Sequence, residues 1–385
     1  MPDLLSPHER KAELEAFATT RSGREKPGRY WKIDLDSLPA DAEGFRSWVN
    51  GLTIESKHPR VIACALGQAK AEHGDLLARA YRKAIEPEQK FSHLTLAHAA
   101  FGAFIYVPAD CSVDDPIVVQ YTTRSRMYPH TVVLAERGAR VTVIERVLVK
   151  VDEFNPPLDK GIYVCGVAEI VTGEGADVTY ASAQLLPDDS TILFTRAARP
   201  GKDARVRWAS AELGAALSVT DLSVTLAQPG ADAQIATLFF PTGTQHVDIA
   251  SSVDHQVGSA TSDTLVKSAA AGRGQGRYFG NIRIAADAQH SDASLRDDAL
   301  LLSETAHIDS VPALEIAAND VKAYHGATVG ALDAESIFYM TSRGIDRTQA
   351  ERMIALGFFE PAIDRFPTEA LRDELRDALQ AKIAP

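Results

Sequence analysis

A chain of 385 residues can bury a large core, and its length allows two or three domains or one elongated repeat structure. Its formal net charge of −12 argues against a nucleic-acid binder, since neutralising phosphates takes a basic face, and no run approaches the roughly 20 apolar residues of a membrane helix. The opening MPDLLSPHERKAELEAF lacks both an apolar signal core and an acid-poor transit pattern, so a cytoplasmic protein is expected.

Residues 1–95 read as a helical N-terminal region. Ser6 is placed to cap a helix, with Pro7 at its first position and Glu9 three residues after the cap, so residues 8–17 begin with a capping box. Residues 21–36 form a basic loop around Pro27 and Gly28 that leads into Tyr30-Trp31-Lys32. Leu76, Leu77, Ala80 and Tyr81 recur at helical spacing and predict a helix over residues 74–85.

From Leu96 the period changes to two. Residues 118–121, 131–134, 141–144 and 178–180 are short and β-branched, with turns between them. Gly138-Ala139-Arg140, Gly175-Ala176-Asp177 and Gly230-Ala231-Asp232 repeat one corner, a glycine and a small residue followed by a charge and the next strand. Repeated corners without long helical crossovers point away from a doubly wound sheet and towards stacked coils, so residues 96–330 read as a parallel β-helix core. Residues 251–281 are poor in aromatics, yet Val253, Val257, Leu265 and Val266 punctuate them as narrow coils. The Gly272-Arg273-Gly274-Gln275-Gly276 run is a turn; no strand leads directly into it and no Gly-Lys-Ser/Thr follows, as a phosphate loop would need.

Residues 331–385 are a helical C-terminal region. Asp333 caps a helix that Gly344 closes, and Asp346 with Gln349 starts a second that Gly357 would end. Thr368 caps a last helix, whose Leu371, Leu375, Ala378, Leu379 and Ile383 form one apolar stripe. The stripe packs on the chain's own helices or docks on a partner.

Cys64, Cys111 and Cys165 lie far apart, without zinc or disulfide spacing, and suit buried small side chains. His246, His255 and His290 each stand near an aspartate, Asp248, Asp254 and Asp292. Stacked coils could gather them into a polar column that holds a metal, although solvent-facing pairs are the commoner arrangement. His93 and His98 suit hydrogen bonds to local backbone. The chain lacks a G-x-S-x-G elbow, and its cysteines lack a nucleophile signature. His325, in Tyr324-His325-Gly326-Ala327-Thr328, stands where strands give way to helices, beside a glycine that frees the backbone.

Several motifs in residues 289–363 follow one another in a recognisable order. They are AQHSDAS…LLLS, IDSVPALEI, DVKAYHGATVG, IFYMTSRGI and A-x-x-M-I-x-x-GF, with weaker similarity at HAAFGAFIYVP and the Trp31-Lys32 loop. On these residues the chain resembles the SufB/SufD family of the SUF iron–sulfur cluster assembly machinery, on its SufD side. The resemblance implies a right-handed parallel β-helix between helical regions. It also implies pairing with a SufB homologue through the β-helices, and a SufC ATPase held by the C-terminal helices. Such a subunit is a non-catalytic scaffold that builds or relays clusters and is not known as an enzyme by itself. SufB-type chains carry a cysteine six residues before the proline matched by Pro312, where this chain has Ala306, and a glutamate where it has Gly326. His325 falls on the histidine that SufD-like proteins are thought to contribute to a nascent cluster shared with SufB, none being expected on the isolated chain. The cysteine that many of them carry two residues earlier is Ala323 here. A SufB-like scaffold is the alternative within the family. Outside it, the alternative is a β-helix carbohydrate-active enzyme with clustered carboxylates, which would normally work outside the cell.

Overall fold

A computed structural model describes residues 5–19, 50–86, 89–98, 101–149 and 161–383. Short β-branched segments alternate with one corner in which a residue of positive φ precedes a small buried one. Asp110, Gly138, Gly175, Asp203, Gly230, Ser259 and His290 have φ between 54° and 70°. The residues that follow them, from Cys111 and Ala139 to Ala260 and Ser291, are all buried. Each corner N–H donates to a carbonyl one coil further on, from Gly138 to Glu174 at 2.8 Å through Gly230 to Ser259 at 3.2 Å and His290 to Asp320 at 2.6 Å. The corners therefore stack on their own hydrogen bonds, and a chain that turns in this way builds a solenoid.

The coils make a β-solenoid of about 8 turns with two long sheets. A nine-stranded sheet runs from Gly51–Glu55 to Lys322–Ala331, and a ten-stranded one from Ile62–Ala65 to His307–Ile316. Strands within each are parallel, except that the first strand of each sheet pairs antiparallel with the second. In the nine-stranded sheet from Asp177 on, a residue's partner in the next coil lies 27 to 31 positions further along. One in-register row is Val143, Tyr180, Trp208, Ile235, Thr264, Leu295 and His325. Residues in register share a face of the sheet, and the first six are buried in the lumen. Tyr180 and Trp208 stack there with ring centroids 4.8 Å apart.

Helices cover the outer faces. Pro7–Thr19 and Lys90–His98 lay Phe17, Phe91 and Leu94 on Tyr163, Cys165, Leu193 and Val219 of the ten-stranded sheet. Arg347–Ile363 and Glu369–Ile383 cover the nine-stranded sheet, where Ala181, Ala209 and Ala211 leave room for Phe359, Leu375 and Leu379. The apolar stripe thus packs on the solenoid itself. Ser6 and Glu9 form the expected capping box, with Ser6 N donating to Glu9 Oε2 at 2.8 Å and Glu9 N to Ser6 Oγ at 3.3 Å. Asp333 caps Ala334–Ser342 through the N–H groups of Glu335 and Ser336, and Gly344 follows with φ 86°. Thr368 Oγ1 accepts from Leu371 N at the start of the last helix.

Four expectations change. Gly357 does not end its helix, which runs through Pro361 to Ile363 because Phe359, Ala362 and Ile363 are buried on the sheet; tertiary burial outweighs the helix-breaking residues. Residues 74–85 are not one helix, since Leu66–Glu72 and the single turn Gly74–Leu77 meet at His73. The N-terminal region also holds the strands Gly51–Glu55 and Ile62–Ala65, which cover the first coil. Leu96 belongs to the helix Lys90–His98, and the parallel strands begin at Phe101. The basic loop at residues 21–36 lies outside the described residues.

Candidate functional site at the open end of the solenoid

The two ends of the solenoid differ. At the C-terminal end, Lys322–Ala331 pairs only with Asp292–Leu301, and His307–Ile316 only with Gln275–Ile284, so among the described residues two ten-residue strands each present an unpaired edge. Such edges are templates for another chain. Ile316 and Val329 are exposed on these strands in register with buried Ile284 and Ala299, where a further coil would bury them, and Tyr324 is exposed on the outer face.

His325 lies in the middle of the edge strand, not in a turn. Its register with Leu295 sets it on the lumen side, and it is exposed because no coil follows. Gly326 is in extended backbone; its missing side chain makes room for the Tyr324 hydroxyl, which would stand 2.5 Å from an added Cβ. The freedom expected of this glycine is therefore steric rather than conformational.

One coil below, Asp297 points into the lumen in register with Ala327 and accepts a hydrogen bond from Ser310 Oγ, across from the other edge strand. Burial pushes its carboxyl up to about 7, against the pull of the Ser310 bond and with help from Asp298. Asp298, on the opposite face, accepts from Lys267 Nζ at 2.8 Å and Thr328 Oγ1 at 2.8 Å and pairs with Arg296. Ala306 is buried beside Ile308 and offers no ligand.

The other histidines do not assemble. His246 and His255 stand at opposite ends of one strand, and His290 occupies a corner, paired with Asp320 at 3.0 Å rather than with Asp292. Asp248 is tied to Arg277 by two bonds of 2.7 Å, and Asp254 faces Arg283. Among the described residues no group of three or more His, Cys, Asp or Glu side chains could hold a metal. His93 Nδ1 meets the carboxylate of Glu13 at 2.7 Å, because Glu13 on the facing helix is buried within reach. Cys111 and Cys165 are buried as expected, and Cys64 is half-buried.

His255 is fully buried rather than solvent-facing, its Nε2 2.9 Å from Ser262 Oγ, and burial lowers its pKa to about 4. The unfolded chain therefore binds the extra proton between pH 6.5 and 4. This contribution to stability is complete above pH 6.5 and falls as pH drops through 4, by on the order of 3 kcal/mol. Denaturant melts at pH 7 and pH 4.5 should show a smaller loss on acidification in His255→Gln than in the parent chain; equal losses would contradict it.

The chain is thus a β-solenoid that antiparallel strands close at one end, that ends in two unpaired strand edges at the other, and that helices clad. Residues 118–358 match the family described as SUF system FeS cluster assembly, SufBD core domain. The chain belongs to the SufBD family of the SUF system. It is 28% identical to the iron–sulfur cluster assembly protein SufD of Bacillus subtilis over 86% of this chain and 76% of that protein. A SufBD family protein of Synechocystis, slr0076, is 27% identical over 91% and 82%, and one of Mycobacterium leprae, ML0593, is 25% identical over 95% of this chain and 43% of its own length. Among the described residues no helix is long and apolar enough to cross a membrane.

Proposed function

We propose that the chain is a SufD-type, non-catalytic scaffold subunit of cytoplasmic iron–sulfur cluster assembly. In this reading it pairs with a SufB-type homologue across its open end and holds a SufC-type ATPase on its C-terminal helices. The observation that carries it is the uncovered last coil, with two free strand edges and a lumen-side histidine at its rim. Strand addition satisfies those edges, and a homologue of matched coil width buries Ile316 and Val329. Phe338 and Tyr339, exposed on the short helix after the last strand, and Met353 on the next give the ATPase an apolar footing.

His325 then offers one imidazole to a cluster handled at the junction. Iron accepts imidazole as well as thiolate, and this end of the chain has no cysteine. Further ligands come from the partner, which makes a shared cluster easy to release.

The test mixes the chain with a SufB-type partner and follows dimer formation by light scattering and cluster yield by absorbance. His325→Ala should change stability by less than about 1 kcal/mol, as expected for an exposed side chain. It should leave the dimer intact and cut cluster yield severalfold, and His325→Cys should restore part of it. His307→Ala, an exposed histidine on the neighbouring edge, serves as the control. Full cluster yield from His325→Ala would remove the ligand role, and failure to form the heterodimer would remove the pairing.

A further inference from the structure

A cavity of about 530 Å³ lies between residues 83–86 and the outer face of the ten-stranded sheet. Its floor is two in-register rows, Thr225, Asp254 and Arg283 in one and Ser252 and Asn281 in the other. Arg199, at the end of the adjoining strand, and Lys83, on the overhanging turn, complete a triangle of cations with Arg283. Two acids, Glu86 and Asp254, also line it. Asp254 Oδ2 already accepts from Gln256 Nε2 at 2.9 Å and faces Arg283 Nη2 at 3.4 Å.

The side chains of Lys83 and Arg199 have no hydrogen-bond or ion-pair partner among the described residues. The sheet beneath carries unmet polar groups as well. Ser223, in register with Ser252 and 1% exposed, has a hydroxyl without a partner, and so does the side-chain oxygen of Asn281. Ala84, Ile85 and Phe279 give the same cavity an apolar wall.

We propose that this cavity binds a small organic polyanion, with two or more negative charges on a short carbon skeleton. Guanidinium groups engage carboxylate or phosphate oxygens in pairs, and the ammonium of Lys83 adds a point charge. The volume lies within the roughly 300–1,000 Å³ of small-molecule sites and exceeds what one inorganic ion fills. Phosphate esters and polycarboxylates share this chemistry.

The experiment is calorimetric titration of the full chain at low salt with ribose 5-phosphate and, separately, citrate. At least one should bind saturably with one-to-one stoichiometry. The affinity should fall about tenfold, or 1.4 kcal/mol, in Arg199→Ser and again in Lys83→Ser, both exposed enough to leave the melting temperature unchanged. Arg273→Ser, in a corner outside the cavity, should bind as the parent does. The probe that binds tells phosphate ester from polycarboxylate. Absence of binding by both at millimolar concentration would overturn the proposal, as would binding that Arg199→Ser and Lys83→Ser leave intact or that Arg273→Ser weakens equally.

Discussion

A chain ending at Pro367 should lose its cooperative thermal transition and bind a hydrophobic dye at room temperature. The last helix looks separable in sequence, but Leu371, Leu375 and Leu379 are at most 4% exposed and share one cluster with Phe359, Phe366, Leu238 and Phe240. Truncating a buried leucine to alanine costs about 2–5 kcal/mol. Three such losses together reach the roughly 5–15 kcal/mol that holds a typical domain, and the deletion also uncovers the alanine-rich face of the sheet. Melting followed by β-sheet circular dichroism reads the outcome. A truncated chain that melts within a few degrees of the parent would show that the helix is an appendage. If it does not, removing the C-terminal helices cannot report on ATPase docking, because it removes the wall of the solenoid first.

Asp248→Ala should cost about 3–5 kcal/mol, the usual penalty for taking one partner from a buried ion pair. Arg277 and Asp248 are each 1% exposed and joined by two 2.7 Å hydrogen bonds on adjacent strands. Alanine leaves the guanidinium in a dry place without its carboxylate. Replacing both, Asp248→Leu with Arg277→Met, should recover most of the loss, since a well-packed apolar pair avoids both desolvation costs. Urea titrations of the parent and the two variants give the comparison. A single-variant loss below about 1 kcal/mol would mean that water reaches the site.

The contrast between these two regions shows what the sequence carries. Local signals were legible. Ser6 with Glu9, Asp333 with Ser336 and the leucine stripe of the last helix each rest on residues three or four apart, and each is found in place. The corners were legible only in part. Gly138, Gly175 and Gly230 announce their positive φ, whereas Asp110, Asp203, Ser259 and His290 adopt the same conformation without a glycine. A stacked corner whose hydrogen bonds run to the next coil can hold a non-glycine residue there, and nothing within a few residues of it reveals this. Partners about 30 positions away likewise hide the Arg277–Asp248 pair and the lumen side of His325. Which face a strand residue takes depends on register, and a one-residue slip would turn His325 outward. The polyanion cavity joins a turn near residue 85 to strands near 200 and 280, so no local motif marks it.

The unlike ends of the solenoid also limit what it can grow into. Stacked coils resemble a growing polymer, and two open ends would let copies add head to tail without limit, as open heterologous contacts do in fibres. Here the N-terminal end is finished by strands of five and four residues running against the direction of the coils. Short, reversed edges are poor templates for a parallel coil. Strand addition in the direction of the coils is therefore open at one end only, a geometry that favours pairs over filaments.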